Sequence, residues 1–134
     1  MKFRFEGDNM KPVDNPDMAE MLSLLDTLHP TDRCFFSLAE VSTGSYVQAA
    51  GARLRLTVEA RLCEKGGFRH YVLGTNPRNE RTAYINCRVG PIHVMQSQML
   101  VLDDARKIFA RFLKRAELIK SYDLQDVTSR FPPG

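Results

Sequence analysis

The chain has 134 residues, 43% of them hydrophobic, which fits one globular domain and excludes a disordered chain. No run reaches the roughly 18 apolar residues of a membrane span, and the opening Met1-Lys2-Phe3-Arg4-Phe5-Glu6 lacks the apolar stretch of a signal peptide. The net charge of +3 is too small for a dedicated nucleic-acid binder and is unevenly spread. Residues 1–32 carry three Lys/Arg against seven Asp/Glu, and the remainder sixteen against nine. The acidic front and basic body either attract each other or meet a partner carrying both signs.

Lys2 to Glu6 alternates charged and aromatic residues, the period of a short strand. Asn15-Pro16-Asp17 reads as a helix start, with Asn15 as the cap. Met18, Met21, Leu22, Leu25 and Leu28 then form an apolar stripe that ends at His29-Pro30. Cys34 to Leu38 is apolar on both faces and predicts a central strand. Ser45 to Ala50 is the next strand, with the reversal at Ala50-Gly51-Ala52.

Arg53 to Cys63 gives the clearest alternation in the chain. Leu54, Leu56, Val58, Ala60 and Leu62 predict a buried face; Arg53, Arg55, Thr57, Glu59 and Arg61 predict a wet one. Gly66-Gly67 predicts a two-residue hairpin loop, pairing Glu64 with Arg69, Cys63 with His70 and Leu62 with Tyr71. Thr82 to Arg88 is a further strand, and Ile92-His93-Val94 a short edge strand. A second helix is expected over 103–115, with Asp103 or Asp104 as its cap. Its stripe is Ala105, Ile108, Phe109, Phe112 and Leu113. Asp126 to Arg130 reads as one helical turn. The sum is a single α+β domain over 1–134: a mainly antiparallel sheet of about five to six strands with an N-terminal and a C-terminal helix packed on it.

Cys34, Cys63 and Cys87 make an odd count without a C-x-x-C, so no disulfide framework and no zinc site are expected, and the reducing cytoplasm is the expected compartment. The predicted hairpin brings Cys63 beside His70, the residue types of a thiolate nucleophile and its base. They would lie on a solvent face without an oxyanion donor, which argues against catalysis, and two ligands are too few for a metal. Glu59 has no second carboxylate for acid–base work. No phosphate loop or dinucleotide fingerprint is present. The aromatics sit on apolar stripes rather than on a stacking platform, which disfavours nucleic acid. No enzyme activity, cofactor, metal, membrane association or small-molecule substrate is therefore expected. The arginines Arg53, Arg55, Arg61 and Arg69, with Tyr46 and Glu59, read either as a solvated salt-bridge ladder or as a partner-binding stripe, because Arg and Tyr are enriched at interface hot spots.

The segments Phe35-Phe36-Ser37-Leu38, Gly44 to Ala49, Val58 to Arg61 and His70-Tyr71, followed by Leu102 to Phe112, resemble the sheet and following helix of small immunity proteins. These are encoded beside bacterial polymorphic toxins, and the resemblance covers about residues 35–131. It implies a non-enzymatic inhibitor that binds one cognate protein toxin and blocks its active site or substrate path. The chain departs from inhibitors of basic nucleases, which are often strongly acidic and contain tryptophan; this chain is basic and has no Trp. A basic nuclease would have to be met through the acidic front, Asp14, Asp17, Glu20 and Asp26. A secretion chaperone or adaptor for an effector is the alternative, and a small enzyme with a pocket of convergent polar groups is the third class.

Overall fold

The computed structural model describes residues 1–133. Seven antiparallel strands form the main sheet: β1 (Phe3–Gly7), β2 (Val13–Asp14), β3 (Phe35–Glu40), β4 (Tyr46–Ala52), β5 (Arg55–Glu64), β6 (Gly67–Gly74) and β9 (Asp123–Asp126). Their spatial order is β2-β1-β3-β4-β5-β6-β9. Strands β7 (Thr82–Ile85) and β8 (Ile92–Met95) pair only with each other. The fold is α+β, as expected, with more strands than the five to six anticipated. The short strands β2 and β9 were missed because neither carries an apolar alternation.

Helices α1 (Met18–Leu25) and α2 (Leu102–Arg115) cover one face of the sheet. That face is built from the alternate apolar residues of each strand. Phe3, Phe5, Phe36, Leu38, Val47, Ala49, Leu56, Val58, Ala60 and Leu73 are all buried. Phe5 stacks on Phe36 at 5.2 Å and meets Phe109 of α2 edge-on at 6.3 Å, while Phe3 meets Phe112 at 5.9 Å. The α2 stripe faces as predicted, with Ala105, Ile108, Phe109 and Phe112 fully buried. The cap position falls on Val101, so neither Asp103 nor Asp104 caps the helix; both lie in its first turn, and Asp104 reaches back through Oδ2 to accept the Val101 N–H at 3.0 Å.

The first helix differs at its start. Asn15 sits in the left-handed region at φ 49°. Its Oδ1 accepts the Phe3 N–H at 3.0 Å, so it serves β1 rather than the helix, and Asp17 takes the cap position. The acidic front and basic body do meet: Arg106 of α2 reaches Asp26 at 2.7 Å, and Arg88 reaches Asp8 at 3.1 Å.

Two turns also differ. Strand β4 runs on to Ala52, which pairs with Arg55, so Arg53-Leu54 is the turn and Leu54 is 81% exposed rather than buried. Gly51 does not reverse the chain. Its φ of 128° is one that side-chain-bearing residues rarely adopt, and the missing side chain leaves room for Ile85, whose Cγ2 would lie 2.6 Å from an added Cβ. In the second hairpin only Gly66 takes a positive φ, 91°. The turn is Lys65-Gly66, and Glu64 pairs with Gly67, Cys63 with Phe68, Leu62 with Arg69 and Arg61 with His70. The register thus moves by two residues, which preserves the faces but separates Cys63 from His70.

The opposite face of the sheet is not the wet face expected along its whole length. The β7–β8 hairpin and residues 127–131 cover its far end, so Thr57, His70 and Val72 are buried. The hairpin is held by a disulfide between Cys34, at the start of β3, and Cys87, with Cα atoms 5.6 Å apart. This overturns the expectation that no cysteine pair forms. It also removes the support that the cysteine count lent to a reducing compartment. Among the described residues no helix is long and apolar enough to cross a membrane.

The β3–β4 turn is organised by one buried carboxylate. Glu40 is 2% exposed; Oε1 accepts Ser42 N–H and Oγ–H, and Oε2 accepts Thr43 N–H and Oγ1–H, at 2.6–3.2 Å. The two hydroxyls, then the two amides, pull its pKa from 4.5 down to about 2 against the cost of burial. A depressed carboxyl pKa contributes stability that is complete above pH 4.5 and is lost as pH falls toward 2. Glu40→Gln should therefore destabilise by about 2 kcal/mol at neutral pH, the scale of hydrogen bonds to a charged group. Urea midpoints should show the gap to the parent closing between pH 4.5 and 2; a constant gap would exclude the carboxylate as its source.

Candidate functional site

Antiparallel pairing sets three side chains in a row across the open face. Tyr46 of β4 lies opposite Arg61 of β5, which lies opposite His70 of β6. Gln48, Glu59 and Val72 form the next row, continued by Gln125 of β9, and Ala50 and Thr57 the one after. Sequence alternation places these residues on one face; the chain end then folds over them. Val127 N–H donates to the His70 carbonyl at 2.8 Å, and His70 N–H donates to Thr128 Oγ1 at 2.9 Å. Phe131 is thereby laid 4.4 Å from the His70 ring.

Arg61 is caged. Its guanidinium carbon lies 4.0 Å from the Phe68 ring centre, 4.7 Å from Phe131 and 5.8 Å from Tyr46. Its Nε–H donates to His70 Nδ1 at 3.1 Å. A guanidinium can only donate, so Nδ1 accepts and the ring proton sits on Nε2. There it meets Glu59 Oε1 at 2.7 Å. The relay runs from a cation through a 3%-exposed imidazole to a carboxylate that is one-third exposed. Burial, opposed by the charge of Arg61, raises the Tyr46 hydroxyl pKa above its ordinary value.

Of the six residues expected to form a partner stripe, the structure gathers three, Tyr46, Glu59 and Arg61, and orders them more than a solvated ladder would. Arg61 is half-buried rather than free, because Phe131 covers it. Arg53 and Arg55 are exposed at the other end of β5, about 20 Å from Arg61 at the rise of a strand. Arg69 pairs with Leu62, so it points to the face opposite Arg61, where it reaches Asp126 at 3.7 Å.

Both ring nitrogens of His70 are engaged, and the hydroxyl or thiol of a nucleophile is not among their partners. Cys63 lies across from Phe68 and its N–H donates to Ser45 Oγ at 2.8 Å. Among the described residues no three His, Cys, Asp or Glu side chains converge to hold a metal ion. No family model matches the chain, and no curated protein matches it in sequence.

Beside the caged arginine lies a cleft of about 450 Å³ between the sheet and the β7–β8 hairpin. Thr57, Glu59 and Val72 form its floor, and Ile92, Val94 and Met95 its wall. Phe68, Phe131 and Thr57 were not singled out as functional from sequence, and His70 was weighed only as a base or metal ligand beside Cys63. The alternation of β5 could have flagged Thr57, but nothing local announces that Phe131 returns to the sheet.

Proposed function

We propose that the chain is a toxin-neutralising immunity protein that docks a cognate protein toxin on the open sheet face around Tyr46, Glu59 and Arg61. The supporting observation is the caged guanidinium. Its side chain is ordered before any partner arrives, so little conformational entropy is lost on binding, and Arg and Tyr are the residues that dominate interface energetics. Ser37, Ala39 and Gln48 continue the same face, half-exposed, toward β3. Arg53, Arg55 and Arg69 stand outside this centre and act at the rim, on encounter rate. The inhibitor itself performs no chemistry in this reading. The Cys34–Cys87 bond suits an oxidising compartment, which is where we place the encounter in preference to the cytoplasm.

The test is co-expression with the product of the adjacent open reading frame. The expected result is rescued host growth and a co-purifying complex. Arg61→Lys keeps the charge but loses the planar fork and its stacking. It should weaken that complex on the order of 30-fold, the scale of a hot-spot residue. Arg55→Glu should change the association rate by about tenfold or less, most clearly at low salt. Unrelieved toxicity, or full affinity in the Arg61→Lys variant, would remove the proposal.

A further inference from the structure

The cleft beside the caged arginine holds polar groups that lack partners. Thr57 is 2% exposed, and its Oγ1 is the one buried side-chain nitrogen or oxygen without a hydrogen bond among the described residues. Such groups are rare in native proteins and ask for an explanation. Glu59 gives Oε1 to His70, while Oε2 has no partner among the described residues. Gln125 accepts from Gln98 through Oε1 at 2.7 Å, which leaves its own amide hydrogens to donate. Arg130 lines the same cleft, exposed, and its guanidinium forms no ion pair among the described residues.

Glu59 and Arg130 thus bring opposite charges to one cleft of about 450 Å³ without meeting each other. Cavities of roughly 300–1,000 Å³ with an apolar wall and a few convergent polar groups are the usual size and character of small-ligand sites. A molecule carrying both signs and an apolar side chain answers every open valence.

We infer that the cleft binds a small zwitterion of the amino-acid type. Its ammonium donates to Glu59 Oε2 and, once the Thr57 side chain rotates to bring its covered Oγ1 into the cleft, to that oxygen. Its carboxylate faces Arg130 and the Gln125 amide. Its side chain lies on Ile92, Val94 and Met95. The site is a ligand site with no reaction assigned to it, and it stands whether or not the sheet face docks a protein.

The experiment is a titration of the intact protein with L-methionine and L-leucine in the millimolar range, read by backbone amide shifts and calorimetry. Saturable shifts at Thr57, Glu59, Val72 and Ile92 are expected. N-acetyl-L-methionine lacks the ammonium and L-methioninamide the carboxylate; each should bind about tenfold more weakly, one charge-assisted contact being lost. Glu59→Gln, which still accepts from His70, and the surface change Arg130→Gln should each weaken binding by about the same factor. Thr57→Val fills the same volume, so it should fold, bind several-fold more weakly and leave other shifts in place. Shifts that do not saturate, or capped analogues that bind as well as the parent amino acids, would overturn the inference.

Discussion

Phe109→Ala is expected to cost about 3–5 kcal/mol of stability, because a fully buried aromatic loses its transfer energy and leaves a cavity. The position is poorly placed to collapse. Phe109 sits between α2 and the sheet against Phe5, which is itself stacked on Phe36, so no neighbour can move in without unpacking another. A domain of this size is stable by only about 5–15 kcal/mol in total, so much of the margin goes. Phe109→Leu should recover a large part of the loss, since it restores most of the volume. Urea unfolding of both variants measures this. An unchanged midpoint for Phe109→Ala would mean that α2 does not pack through this residue.

Replacing Cys34 and Cys87 together by Ser should cost about 4 kcal/mol. The bond closes a loop of 53 residues, and the chain entropy it removes from the unfolded ensemble grows with the logarithm of that length. At the entropy density of globular domains this lowers the melting temperature on the order of 15 °C. Calorimetry with and without reductant should give the same drop in the parent and none in the double variant. A parent protein indifferent to reductant would show that the pair is not cross-linked in solution. The loss should be felt first at the β7–β8 hairpin, which the bond fastens beside β3 together with the Arg88–Asp8 pair.

What the sequence made legible is the part governed by local period. The α2 stripe and the core face of β5 follow from spacings of 3.6 and 2; Ile108, Phe109, Phe112, Leu56, Val58 and Ala60 are buried where those periods put them, while Leu54 falls in the turn and is exposed. What stayed hidden depends on contacts between distant segments. Strand β9 reads Asp-Leu-Gln-Asp, with no apolar alternation. It is a strand because β6 offers a free ladder and because Arg78 and Arg69 pair with Asp123 and Asp126. The hairpin register turned on whether Gly66 and Gly67 both adopt positive φ; one sufficed, and the pairs moved by two. Of the candidate site, the shared face of Glu59 and Arg61 was legible. The cage was not, since Phe131 reaches Arg61 from 70 positions away in the chain. The polar stripe looked wet because alternation says which residues share a face and nothing about what later covers it.

The two margins of the main sheet bear on how this protein meets others. One ends in β2, two residues long and bracketed by Pro12 and Pro16; the other ends in β9, whose first and last residues are both aspartates. Proline withholds a backbone donor and a short, charged border discourages an incoming strand. Strand addition to the main sheet is therefore disfavoured on both sides. Recognition through this sheet falls instead to side chains on its broad surface, where it is specific to composition rather than to backbone pattern.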